Sequence, residues 1–380
     1  MLNLLGRFVS KKSGVVYDGI CAPQWTSKKF DSLAEEGFQK NVFAFRAISL
    51  IAKGIASIAV SVQNEDKTEN EELTNLINNP NITMSKSDFF EQIVDYLMIS
   101  GNAFIWINEC NQLQCLRPDR IQVVPNKNHT AVDHYIYAVD DAQYRIKKND
   151  LLHLKLFNPL NDWYGISPLQ VASQAIDQYN EMSKHNLAIL QNGGRPSGCF
   201  MIKDGKELTE DQLASLRSDI QKTCTGSKRA GRVLLLQGGI EWKEMGLSPK
   251  DLDFEGGRNL TVREIAQAFG VPPVLLGIEC NASFNSYKEA RLNFWEDTVL
   301  PLANFIKDGL SMWLSNCFQR KIQLVLDLDS VHALTERREV LWHKISNADF
   351  LTIDEKREIL GYPKLKKNEK KKIEEKTKAE

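Results

Sequence analysis

Over residues 292–313 the large apolar side chains Leu292, Trp295, Val299, Leu302, Ile306, Leu310 and Trp313 recur at intervals of three and four. That period puts them on one face of a helix of about six turns. Pro301 falls inside the run and has no N–H to donate, so the spacing predicts a helix kinked near it. A second long helix is predicted from Ser167-Pro168, with Ser at the cap and Pro at the first helical position. Its apolar side is marked by Leu169, Ala172, Ile176, Tyr179, Leu187 and Leu190, and Gly193-Gly194 is placed to end it. Together the two helices offer more apolar surface than a slender monomer can bury. The 380 residues allow one large core or two to three smaller ones.

Around these helices the period changes repeatedly. Val42, Phe45, Ile48, Ile51, Ile55 and Ile58 predict a helix over 41–61, followed by a polar loop over 64–72. Ser85 with Asp88 resembles a capping box. It opens a helix through Phe89, Ile93 and Leu97 that Gly101 is placed to end. From 103 to 156 short strands follow, at 103–107, 121–124, 134–139 and 151–156, with turn residues between them. A compact insert starts with a strand at 199–202. It continues with a helix capped by Thr209 and Gln212 and strands at 232–236 and 240–245. Its place between two long helical regions makes it read as a projecting module. Thr261 with Glu264 predicts another helix start, ending at residues 270–273, and a polar loop at 279–286 leads into the long kinked helix. A strand at 322–328, helices at 335–347 and 352–360 (the second capped by Thr352 and Glu355), and a Lys/Glu-rich tail expected to be disordered complete the chain.

The bulk numbers exclude several functions. A formal net charge of −1 argues against a protein that grips nucleic acid through many phosphates. No signal peptide is expected at residues 1–9, and Arg46 and Lys53 disfavour a membrane span over 42–62. Cysteines 21, 110, 115, 199, 224, 280 and 317 form no C-x-x-C, so reduced thiols in a cytoplasm fit better than a disulfide framework or a zinc site. Phosphate-cradling, dinucleotide, zinc-protease and nucleophile-elbow motifs are absent. His153 lies in an apolar strand and is expected to be a satisfied sheet residue. Asp327 and Asp329 share a strand face but lack a third ligand, so an ordinary strand end is expected and no metal or cofactor.

The order of short motifs resembles the portal protein family of tailed phages, in the branch of long-tailed phages and gene transfer agents. Pro80-Asn81 precedes Ile99-Ser-Gly-Asn-Ala-Phe104, Leu116-Arg-Pro118 and Asp150-Leu-Leu-His153. Tyr164-Gly-Ile-Ser-Pro168 and Asn192-Gly-Gly-Arg-Pro-Ser-Gly198 follow. Then come IAQAFGVPPVLLG at 265–277, Phe294-Trp295, Pro301 and LTIDEKR at 351–357. The resemblance covers about residues 41–365. It implies an α+β, portal-type ring subunit with a mixed wing domain, a helical stem, a small α/β clip and a short helical crown. By analogy the arm is 1–40, the wing 41–166, the stem helix 167–195 and the clip 196–245. Residues 246–330 would hold a second stem and tunnel-loop region and the long kinked wing helix, 331–363 the crown and 364–380 the tail.

The resemblance further implies a non-catalytic virion component at the capsid portal vertex, assembled in the bacterial host cytoplasm. Its partners would be itself, in a ring of twelve, the terminase large subunit, a head–tail adaptor, the major capsid protein or scaffold, and non-specifically held double-stranded DNA. Asn281, Ser283, Asn285, Ser286 and Lys288 are the candidates for a channel-facing tunnel loop. Lys222, Lys228, Arg229 and Arg232 are the candidates for docking on the clip. The competing readings are another head–tail connector ring, a non-catalytic packaging component, or a packaging nuclease or motor, for which the needed carboxylate cluster or P-loop is missing.

Overall fold

A computed structural model of the chain describes residues 25–191, 198–202, 240–244, 254–278, 284–348 and 350–359, with scattered positions between 209 and 218. The short helix α1 (Phe30–Leu33) runs into a π-helical turn, Ala34–Gln39. α2 (Val42–Ala56) follows. Asn41 caps it, its side-chain oxygen accepting from the N–H groups of Phe43 and Ala44 at 3.1 and 3.0 Å. Ala44, Ala47, Ile48, Ile51, Ala52 and Ile55 are buried along its inner face.

The helix predicted to reach residue 61 stops at Ala56. The next residues form β1 (Ala59–Asn64), which covers the start of the predicted polar loop. β1 pairs antiparallel with β10 (Ile322–Asp327), Ala59 facing Asp327 and Asn64 facing Ile322. Helix-like spacing through Ile55 and Ile58 hid this strand, because only its distant partner decides it. α3 (Glu71–Asn78) then leads to α4 (Lys86–Ser100), where the predicted capping box is present: Ser85 N–H donates to the Asp88 carboxylate at 3.2 Å and Asp88 N–H to Ser85 Oγ at 3.2 Å. Gly101, at φ +76°, ends α4 in the left-handed region, as expected of a terminal glycine.

Two three-stranded antiparallel sheets follow. One has the order β3 (Leu113–Leu116), β2 (Asn102–Ile107), β7 (Leu151–Lys155). The other runs β4 (Ile121–Pro125), β5 (Val132–Val139), β6 (Ala142–Lys147). β3 and β6 escape the sequence pattern: β3 has four residues, and β6 reads AQYRIK with only Ile146 buried. A small second core of Phe104, Leu116, Ile121, Val123, Tyr135, Ile146 and Leu151 joins the sheets, beside the main core built on α2 and α4.

The helix predicted from Ser167 forms in two pieces, α5 (Pro168–Val171) and α6 (Ser173–Gln191), with Ser167 Oγ accepting from Gln170 N–H at 2.9 Å. Leu169, Ala172, Ile176 and Tyr179 are buried, whereas Leu187 and Leu190 are exposed, so only the first half of the apolar stripe finds cover within the chain. Gly193 and Gly194 lie outside the described residues. In the insert, β8 (Gly198–Ile202) pairs antiparallel with β9 (Ile240–Glu244), and Thr209 and Gln212 make the predicted reciprocal cap at 3.2 and 3.4 Å. The strand predicted at 232–236 and the tail at 364–380 fall outside the described residues.

α7 (Phe254–Ala268) begins two turns before its predicted start. Thr261 caps nothing: its hydroxyl donates back to the Arg258 carbonyl at 2.9 Å within the helix. Gly256 and Gly257, poor helix formers, masked the true start. The long apolar run is α8 (Phe284–Phe294), a π-helical turn at Trp295–Val299, and α9 (Leu300–Phe318). The interruption therefore precedes Pro301, which occupies the first turn of α9, where a missing N–H costs little. α10 (His332–Ser346) starts three residues before its predicted position. α11 (Ile353–Ile359) has the predicted cap, the Thr352 and Glu355 side chains each accepting from the other's backbone N–H.

Asp95, half-buried on α4, lies near Glu91 and Lys53, and its carboxyl is pushed up to about 6 by burial first and by Glu91 second. A carboxyl raised on folding opposes the native state once charged, and the penalty is relieved as pH falls through 6 toward the unfolded value near 4. Asp95→Asn is therefore expected to stabilise the protein by about 1–2 kcal/mol at pH 7.5 and to lose that advantage by pH 4, as read by urea denaturation at both pH values.

Candidate functional site

Two places gather the residues that the sequence singles out. At the first, three of the short motifs converge. The Gly101 carbonyl accepts from Leu156 N–H at 2.9 Å, and a Cβ on Gly101 would come within 2.6 Å of the Ile166 carbonyl carbon. Asn102 accepts on Oδ1 from Gly165 N–H at 2.8 Å and donates through Nδ2 to the Ser100 carbonyl at 2.8 Å. His153 Nε2 lies 3.0 Å from the same Oδ1, an acceptor, which places a proton on Nε2. Its ring stacks on Phe104 with centroids 4.2 Å apart, and burial pulls its pKa down to about 3. A largely desolvated imidazole with so low a pKa stays neutral across the range around pH 7. His153 is thus the satisfied sheet residue expected of it. Pro80 and Asn81 hold the edge strand in a similar way, the Pro80 carbonyl accepting from Leu113 N–H at 2.8 Å and Asn81 Nδ2 donating to the Leu113 carbonyl at 3.0 Å.

The second place is the base of the expected channel loop. Residues 265–277 form the end of α7, a turn at Gly270 (φ +67°), the 3-10 turn Pro273–Leu276 and a left-handed Gly277 (φ +80°). Val271 and Leu276 are buried, as are Trp295 and Val299 of the π-helical turn. The Thr298 hydroxyl donates to the Gly270 carbonyl at 2.6 Å, tying the π-helical turn to the base of the loop. That tie escapes sequence reading, since Thr298 is one polar residue in an amphipathic run.

Asn281 and Ser283 lie outside the described residues. Asn285 and Ser286, assigned to a loop in the sequence, stand instead on the first turn of α8, because helix forms from Phe284 onward, and Lys288, just beyond the expected loop, is on the same helix. Ser286 and Lys288 are exposed there. The docking candidates Lys222, Lys228, Arg229 and Arg232 lie outside the described residues. Asp327 ends β10, and its carboxylate accepts from Asp329 N–H at 3.0 Å, the ordinary strand end that the sequence suggested. Among the described residues no group of three His, Cys, Asp or Glu side chains is placed to hold a metal, and no helix is long and apolar enough to cross a membrane.

The family model described as phage portal protein matches residues 43–361, so the chain belongs to the phage portal protein family. It is 39% identical over 342 residues to an uncharacterised protein of Rickettsia bellii, covering 87% of this chain and 89% of that one. It is 24% identical over 321 residues to the portal protein of Enterobacteria phage HK97, covering 81% and 74% of the two chains. Its fold is similar to a chain in the neck of a native gene transfer agent particle computed with C12 symmetry, with TM-score 0.68, 35% identity, and coverage of 90% of this chain and 96% of that one. The α+β architecture is that of portal proteins.

Replacing His153 by Ala removes a stacked ring and one of the two donors to Asn102 Oδ1, and is expected to cost about 2–4 kcal/mol in chemical denaturation. Because folding depresses the imidazole pKa, its contribution is complete above about pH 6.5 and declines as pH falls toward 3. The His153 Cε1–H resonance should accordingly stay flat between pH 8 and pH 5.

Proposed function

We propose that this protein is the ring subunit at the portal vertex of a tailed phage or gene transfer agent particle, through which double-stranded DNA enters and leaves. The observation that carries the reading is the family match across 43–361, joined to the likeness over 90% of the chain to a protein of a twelve-fold particle neck. The same likeness supports a ring of twelve copies. In this reading 41–166 is the wing, 167–195 the stem, 196–245 the clip, 246–330 the second stem and tunnel-loop region with the kinked wing helix, and 331–363 the crown. The exposed Leu187 and Leu190 of α6 support a stem whose outer half needs a neighbour. The clip, with Lys222, Lys228, Arg229 and Arg232, is the docking face for the terminase large subunit and then for the head–tail adaptor. The wing meets the capsid protein or scaffold.

The role is mechanical and non-catalytic. A channel that passes DNA must not hold it, and each neutralised phosphate adds affinity and slows release. A formal net charge of −1 suits weak, sequence-blind contact. Asn281 and Ser283, between Pro272-Pro273 and the start of α8, and Asn285 and Ser286 on its first turn supply uncharged hydrogen-bonding groups, and Lys288 on the same helix supplies one cation.

Purified protein should assemble into rings with a central hole, seen by negative-stain microscopy and by light-scattering mass. A chain that stays monomeric at high concentration across a range of salt would refute the assignment. Shortening residues 279–286 by four should leave those rings intact while particles retain less than the full length of DNA. Full-length DNA at the wild-type packaging rate would remove the channel role from this loop.

A further inference from the structure

One end of β7 carries an apolar projection, and the other end opens into an aromatic cleft. Beyond the C-terminal end, Phe157 and Leu160 are 84% and 95% exposed. The loop that bears them is tightly organised. Asn158 Oδ1 accepts from Leu160 N–H at 3.0 Å, and its Nδ2 donates to the Tyr164 carbonyl at 3.0 Å. Asn161 Oδ1 accepts from the N–H groups of Trp163 and Tyr164 at 2.8 and 3.0 Å, and Lys155 Nζ donates to the Asp162 carbonyl. Pro159, between the two apolar side chains, restricts the backbone further. Large apolar groups held outward on ordered backbone have the character of binding anchors, since much of the ordering entropy is already spent before contact.

At the N-terminal end of β7, a cleft of about 840 Å³ lies between the β5–β6 hairpin, the β2–β3 turn and the end of α9. Trp106, Tyr137, Tyr144 and Phe318 contribute to its wall. Tyr137 and Tyr144 are direct cross-strand partners, and Tyr144 is 57% exposed. A cleft of this size and composition takes apolar groups the size of a Phe and a Leu side chain together. Both features carry charges of both signs, Lys155 and Asp162 beside the projection and Arg145, Lys147, Glu109 and Asp150 on the cleft wall, so ion pairs can form at the rim of the contact.

The five residues of β7 separate projection from cleft by roughly 17 Å, so the two cannot meet within one chain. Complementary features at opposite ends of one rigid strand are what a head-to-tail contact requires, and head-to-tail contacts close into rings. We propose that Phe157 and Leu160 of each copy seat in the cleft around Tyr144 of the next copy. The proposal rests on the ring reading above and names a contact that closes the ring.

The test uses the full-length chain with Phe157→Glu/Leu160→Glu in one variant and Tyr144→Asp in another. Mass photometry and microscopy give the assembly state, and circular dichroism with a thermal melt reports folding. Each variant alone should be monomeric with a native melt. Their equimolar mixture should give a species of twice the 43.2 kDa chain mass, because one intact projection meets one intact cleft and propagation then stops. Leu160→Ser, the milder change, should raise the concentration needed for half-assembly at least tenfold. Wild-type rings from the folded projection variant, or a mixture that stays monomeric, would overturn this contact and leave the ring reading standing. A wild-type chain that never assembles would overturn both.

Discussion

The turn from α4 into β2 touches the chain entering α5 so closely that neither backbone has room for a side chain. Gly101 and Gly165 face each other there, and the carbonyl of Gly101 takes the N–H of Leu156. A residue other than glycine at 101 would meet both a left-handed φ and backbone atoms at 2.6 Å. This contact sets where the mixed sheets stop and where the long helical segment starts. The buried Asn102 side chain bridges the two strands of chain and takes the His153 Nε2 contact, and His153, stacked on Phe104, is held neutral by burial. The polar groups of the junction satisfy one another, which is the condition for burying them at all.

From that junction the molecule extends in two directions. Toward the N-terminal half, α2 lies on α4 in a dense apolar core, and β1 with β10 binds that half to the end of α9. Toward the other side, α5 and α6 leave the body. Asn180, buried on α6, donates through Nδ2 to the Glu36 carbonyl at 3.0 Å, while Asn41 donates to Asn180 Oδ1 at 3.3 Å, so the cap of α2 also fixes the root of α6. Past this root, among the described residues, Leu187 and Leu190 of the helix are exposed. A chain that buries one half of a helix with a buried amide pair and leaves the other half apolar and bare is built for neighbours, in keeping with the portal family.

The π-helical turn at Trp295–Val299 has a similar dual character. Its residues are part of the core through Trp295 and Val299, and Val299 fills the space left by Gly54 on α2. Thr298 reaches the opposite way, to Gly270. The same turn thereby joins the central helix pair to the base of the segment proposed to meet DNA, so displacement of that segment would be felt in the core.

The sequence by itself determined the local events: the caps at Ser85, Ser167 and Thr352, the glycine stop at 101, the amphipathic runs, and the ordered motifs that place the chain in its family. Each depends on side chains within one or two turns of one another, which is the range over which residue order dictates contact. It also marked His153 as a core residue, because a lone histidine in an apolar strand has no chemistry available to it. Only the tertiary structure decided that residues 59–64 leave the helix to pair with β10, and that α7 starts before Thr261. It also moved Asn285 and Ser286 from loop to helix and placed the interruption of the long helix ahead of Pro301. In each of these, local preference was balanced or misleading, and a partner far along the chain supplied the hydrogen bonds or the apolar cover that tipped it.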